Sequence, residues 1–168
     1  MPVTKQQITD EVVNLCKKVS FSLPKDVMQA LKRTFGSEKK PLIKDLYKTF
    51  QKNAEVAKKK SIPLCQDTGT AVVFVEKGSL VKISDADLIK SINLGIAKGY
   101  KKYFLRKSIV KDPLRRDNTG DNTPAIIHIE PKKGSSLKIA LLQKGGGAEN
   151  MSKQAMLRPS DGYQGCLD

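Results

Sequence analysis

The run Val72-Val73-Phe74-Val75 constrains this chain more than any other stretch. Four consecutive apolar residues of strand-forming type offer no polar side to water, so they read as a short strand buried on both faces. Such a strand needs cover, and the residues ahead of it supply candidates. Apolar side chains recur at Ile8, Val12, Leu15 and Val19, at Val27, Leu31 and Phe35, and at Ile43, Leu46, Phe50 and Ala54, predicting three amphipathic helices. Pro24 suits a first helical turn, Gly36 a helix exit, and Pro41 the opening of the third helix.

Beyond the run, Glu76-Lys77-Gly78-Ser79 reads as a turn and Leu80 to Ile83 as a returning strand, which together predict a hairpin. Ser84 with Asp87 three residues on resembles a capping box, and Leu88, Ile92, Ile96, Tyr100 and Phe104 extend an apolar line to a helix end near Leu105. Gly95 and Gly99 inside that helix each cost up to about 1 kcal/mol relative to Ala, which points to close packing on another element. Ala125 to Ile129 and Leu137 to Leu142 read as two more strands joined by a turn over 131–136. Helices precede and interrupt the strands, so the expected fold is α/β or α+β. Its N-terminal helices lead into a small sheet with interleaved helices. The 168 residues suit one domain, with a helical segment over 1–60 and strands with their polar loops over 61–168.

Lysine and arginine exceed the acidic residues to give a net charge of +14, which favours anionic partners. The basic residues are scattered in pairs and triplets such as Lys17-Lys18, Lys58-Lys59-Lys60 and Lys132-Lys133, a pattern that fits solvated helix faces as well as a functional patch. The N-terminus lacks an apolar leader and the apolar stretches are too short to cross a bilayer, so the chain reads as cytoplasmic with no membrane partner. Cys16, Cys65 and Cys166 are widely spaced and odd in number, against a disulfide framework. Cys16 borders the first helical stripe and reads as core filler.

Three polar stretches stand against this scaffold: residues 65–69, 115–124 and 144–150. If their strands are neighbours, the loops converge on one site. The Gly145 to Gly147 run frees backbone N–H groups for an anion, or serves as a flexible connection; it lacks nucleotide-loop spacing. The 117–124 stretch is equally a plain turn. His128, the only histidine, lies among isoleucines and reads as a hydrogen-bonded core residue rather than a catalytic base.

CQDTGT at 65–70, NTGDNTPA at 118–125 and KGGGAENM at 144–151 stand in the same order as three stretches of the iron–sulfur hydro-lyases. The chain resembles the N-terminal part of the alpha region of the class I fumarase and L-tartrate dehydratase family. The resemblance implies a hydro-lyase that adds water to, or removes it from, a small dicarboxylate of the fumarate/malate or tartrate type. It also implies a four-iron, four-sulfur cluster, a beta subunit or region, and an oligomer. On that resemblance Cys65 is a cluster ligand, Gln66 and Asp67 contact substrate, and Asp67 also assists the group that takes the proton. Arg106 binds a substrate carboxylate, with Arg115 and Arg116 as nearby alternatives, and Gly146 and Gly147 bring backbone to the same carboxylate.

The departure lies downstream. A Cys-Pro-Pro ligand stretch and the beta-region cysteine have no counterpart here, and Cys166 in GYQGCLD reads as a non-ligand. The chain reads as partial, so the expectation is that this polypeptide alone holds no stable cluster and turns over nothing. The alternative reading, a basic nucleic-acid-binding domain, has the charge but only 5% aromatic residues to stack bases.

Overall fold

A computed structural model describes residues 3–150 and 152–167. The three predicted N-terminal helices form as α1 (Lys5–Phe21), α2 (Lys25–Gly36) and α3 (Pro41–Lys60). They are followed by β1 (Thr70–Gly78), α4 (Asp85–Lys102), β2 (Ile126–Lys132), β3 (Leu137–Lys144) and a single turn, α5 (Gly147–Asn150). The mixed α/β expectation holds.

The core is a two-helix layer laid on one face of a three-stranded sheet. Thr4 starts α1 through a reciprocal cap: its hydroxyl accepts from the Gln7 N–H (3.2 Å), and the Gln7 side chain accepts from the Thr4 N–H (2.9 Å). Ser84 does the same service for α4, accepting from the Asp87 N–H at 3.1 Å. The buried faces of α1 (Ile8, Val12, Cys16) and α4 (Leu88, Ile92, Ile96, Tyr100) meet Ala71, Val73 and Val75 of β1.

Gly95 and Gly99 are where the two helices touch. A Cβ at Gly99 would lie 2.7 Å from Cys16 Sγ and 2.8 Å from Cys16 Cβ, and one at Gly95 2.6 Å from Val12 Cβ. Gly99→Ala is therefore expected to lower the unfolding free energy by about 1–3 kcal/mol through overpacking, read as a lower urea midpoint at unchanged slope.

Burial pushes the Cys16 thiol pKa from 9.0 up to about 12, and burial likewise raises that of the Tyr100 hydroxyl. Both protons are held in the fold beyond the pH at which the unfolded chain releases them. Their contribution is complete below about pH 9 and is lost as the pH rises through the window to about 12. Urea titrations at stepped alkaline pH are expected to show stability falling above pH 9, less steeply in Cys16→Val.

The sheet order is β2-β1-β3, with β1 parallel to β2 and antiparallel to β3. One expectation is corrected by this order. The hairpin after β1 does not form, because both edges of β1 are already taken. The chain leaving it is held instead by the 132–136 turn: the Ser79 N–H donates to the Lys132 carbonyl at 2.8 Å and the Leu80 N–H to that of Gly134 at 2.9 Å. The strands flanking the 131–136 turn do not pair with each other, since β1 lies between them.

The expectation of a strand buried on both faces fails in the run 72–75 only at Phe74, since Val72 on the same face is buried, at 8% exposure. Val73 and Val75 face the helices, whereas Phe74 on the other face is half exposed. His128 is not a core residue: it is exposed on that open face, its ring stacked on Phe74 at 5.1 Å. The helix expected to reach Leu105 ends at Lys102, where Tyr103 caps it and Phe104 takes a left-handed φ of 53°. Apart from α1, the N-terminal helices pack loosely on the body. Stacking of Phe35 on Tyr47 (4.6 Å) joins α2 to α3, and Leu46 and Phe50 stay exposed.

Candidate functional site

The first polar loop is pinned at its start. The Leu64 N–H donates to the Ser20 carbonyl (2.8 Å), and the Leu64 carbonyl accepts from the Asn53 side chain (2.9 Å). Cys65 and Gln66 then emerge exposed, Asp67 is half-buried, and Thr68 and Gly69 are buried. The Tyr100 hydroxyl, at 0% exposure, lies 3.3 Å from both the Thr68 and Gly69 carbonyls and accepts from the Gln143 amide at 3.2 Å. With its pKa raised by burial, it remains a neutral donor to this loop.

Asn122 ties that loop to the second. Its side chain is fully buried and its φ of 64° lies in the left-handed region that Asn tolerates. Its Oδ1 accepts from the Ser108 N–H (2.6 Å) and the Ile109 N–H (3.3 Å), while its Nδ2 donates to the Gly69 carbonyl (3.2 Å). The Thr68 hydroxyl donates to the Arg106 carbonyl (3.0 Å) alongside. Residues 109–119 form a small antiparallel arm closed by the Val110–Asn118 bridge, which turns Arg116 back toward the loop. At its base, burial raises the Asp121 pKa but is outweighed by the Thr123 hydroxyl (2.8 Å) and N–H (3.0 Å), so the carboxyl stays below its usual range.

Asp67 ties in the third loop. One carboxylate oxygen accepts from the Gly69 N–H (3.1 Å) and the other from the Gly146 N–H (2.9 Å). Gly69, at φ 61°, passes so close to β3 that a Cβ would run into the Lys144 carbonyl. The convergence read from the three polar stretches is thus observed.

Together these loops enclose a cavity of about 610 Å³, within the range of small-molecule sites. Asp67, Arg106 and Gly146 line it, with Arg116, and Arg115 is not among the lining residues. Cys65 and Gln66 stand exposed outside the lining, and Gly147 instead begins α5. Gly146 also differs in detail: its N–H is engaged by Asp67. Lys107, Ser108, Asn118 and Lys144 complete the polar wall. None of these four was singled out from the sequence, although Asn118 and Lys144 begin two of the quoted motifs. Among the described residues four cations, Arg106, Lys107, Arg116 and Lys144, line the cavity with one carboxylate, Asp67. The field is net positive and suits a small dianion. The Ser108 Oγ is buried on this wall without a hydrogen-bond partner.

Among the described residues no three His, Cys, Asp or Glu side chains are gathered to hold a metal ion. Cys16 is sealed in the core, whereas Cys65 and Cys166 are exposed free thiols. Among the described residues an exposed free thiol such as Cys65 can supply one thiolate to a cluster, and no complete ligand set is gathered.

The family model described as fumarate hydratase (Fumerase) matches residues 9–168. A Methanocaldococcus jannaschii protein named "Putative L(+)-tartrate dehydratase subunit alpha" is 35% identical across 95% of this chain. The L(+)-tartrate dehydratase alpha subunits of Escherichia coli and Shigella sonnei are each 28% identical across 96% of it. The chain spans 58% of the length of the first relative and 54% of the other two.

Proposed function

The chain belongs to the fumarate hydratase (Fumerase) family, and from that premise we propose that it forms part of a hydro-lyase acting reversibly on a small dicarboxylate, of the fumarate/malate or tartrate type. The observation that carries this is the cavity where the three motif loops meet, lined by four cations around one carboxylate. Arg106 holds one substrate carboxylate with its planar fork, which two N–H donors match to two oxygens. Lys107, Arg116 and Lys144 neutralise the rest of the dianion. Asp67, oriented by the Gly69 and Gly146 N–H groups, keeps an acceptor beside the carbon that loses its proton and assists the group that takes it. Gln66, exposed next to Asp67, contacts substrate from the rim.

A bound four-iron, four-sulfur cluster would supply Lewis-acid chemistry at the departing hydroxyl. Cys65 is the residue of this chain that would hold it, with the other ligands coming from elsewhere in the assembly. The relatives are alpha subunits, so a beta subunit is the partner proposed here, in a cytoplasmic oligomer. Among the described residues no helix is long and apolar enough to cross a membrane. The nucleic-acid alternative finds no support in the comparisons.

The test is anaerobic assembly of this chain with the rest of an alpha subunit and a beta subunit, followed by hydration assays on fumarate and dehydration assays on malate and tartrate. Turnover of one of these diacids is expected, and failure on all of them in a cluster-loaded assembly overturns the proposal. In that assembly Arg106→Met is expected to raise KM about 10- to 100-fold, the loss of one charge-assisted pair, as read from initial rates.

A further inference from the structure

The sheet has one face under helices and one face bare. On the bare face, register places Ile126, Val72 and Leu142 in one row and His128, Phe74 and Ala140 in the next. Ile126 and Phe74 are 49% exposed and Leu142 50%, while Val72 between Ile126 and Leu142 is already buried, at 8% exposure. Beyond these two rows the patch ends in ion pairs, Glu76 with Lys138 and Glu130 with Lys132. At its opposite end it runs into the cavity, since Val72 and Ile126 line both. The C-terminal stretch is bare as well. Short 3-10 turns at Pro159–Asp161 and Gln164–Cys166 pack on one another, leaving Met156 95% and Tyr163 79% exposed.

An apolar patch rimmed by ion pairs marks a contact surface, and a parallel pair such as β1–β2 is ordinarily covered on both sides. Two occupants are available on physical grounds. A second copy would bring one +14 chain against another, which like-charge repulsion opposes. The relatives, by contrast, carry more than two fifths of their length outside the match.

We infer that the bare sheet face, with the exposed apolar residues of 152–167, is the seat of the polypeptide that the alpha-subunit relatives carry outside the matched stretch. Seating it also adds a wall to the cavity beside Ile126, which is half exposed. The inference rests on family membership and not on the identity of the substrate.

The probe is the part of the Methanocaldococcus jannaschii relative outside the match, purified and titrated into this chain. Capture is expected, with slowed amide hydrogen exchange in β1, β2 and 152–167. Phe74→Lys is expected to weaken capture at least tenfold, while Leu46→Lys, on the exposed face of α3, leaves it unchanged. Unchanged circular dichroism and continued protection of Cys16 from thiol reagents confirm that Phe74→Lys is folded. No capture, or capture indifferent to Phe74→Lys, overturns the inference. So does sedimentation of the chain alone as a dimer with β1 and β2 protected, which makes a second copy the occupant. Capture is read without turnover, so an assembly that forms but hydrates no diacid sinks the proposed function alone.

Discussion

Asn122→Ala is expected to lower the unfolding free energy by about 3–5 kcal/mol, a large share of what a domain of this size possesses. The side chain is fully buried and serves three backbone groups: the Ser108 and Ile109 N–H groups and the Gly69 carbonyl. Alanine leaves the Ser108 and Ile109 N–H groups without this acceptor and the Gly69 carbonyl with the Tyr100 hydroxyl (3.3 Å) as its remaining donor, and each unsatisfied group costs about 1–3 kcal/mol. The backbone adds to this, because φ at 122 is 64°, a region that Ala enters less readily than Asn. The measurement is urea unfolding followed by circular dichroism. A loss below about 1 kcal/mol would show that the loops are held by something other than this side chain. Asn122→Asp distinguishes the two functions of the amide. Its carboxylate can still accept from the Ser108 and Ile109 N–H groups but cannot donate to Gly69, so it is expected to recover part of the loss.

The helices of this chain are legible from its sequence because their signals are local. The i+4 apolar lines and Pro41 at a helix start depend on neighbours within a turn or two, and Gly95 and Gly99 mark a close approach by their spacing inside a helix even though the element they meet, α1, is distant in sequence; all three are found. The strand errors have the opposite origin. Nothing in Leu80 to Ile83 says that both edges of β1 are already filled by strands that begin only at Ile126 and Leu137. The run at 72–75 states that a strand forms there but not which segment covers each face, so Phe74 and His128 were assigned to a core that this chain supplies on one side only. The site divides in the same way. The three loops were legible as motifs, and Asp67, Arg106 and Gly146 do meet in the cavity. Asn122 was hidden in a stretch whose composition is that of any turn, and its bond to Gly69 spans 53 residues. The choice between Arg106 and its neighbours needed geometry too, and the geometry retains Arg116 beside Arg106.

Asp67→Asn in the completed assembly is expected to separate binding from turnover, and this separation identifies what the carboxylate does. Among the described residues Asp67 is the one anionic side chain lining a cavity that Arg106, Lys107, Arg116 and Lys144 also line. Removing its charge leaves those cations less opposed, so a dicarboxylate is expected to bind about three- to tenfold more tightly, the scale of one charge acting over several ångströms in a wet site. Turnover is expected to fall about 10²- to 10⁴-fold, because an amide cannot take or relay a proton. The fold supplies a competing effect that the experiment must separate. Asp67 accepts from both the Gly69 and Gly146 N–H groups, and Asn offers only one acceptor oxygen for two donors. If the carboxylate served only to hold the Gly-rich loop, Asn would loosen that loop and weaken binding along with turnover. Tighter binding with slower turnover, measured as an inhibitor dissociation constant beside kcat, is the signature of a carboxylate that works on the proton. Weaker binding with a proportionate loss of rate reduces Asp67 to a loop anchor and moves the proton chemistry to the part of the site contributed by other segments.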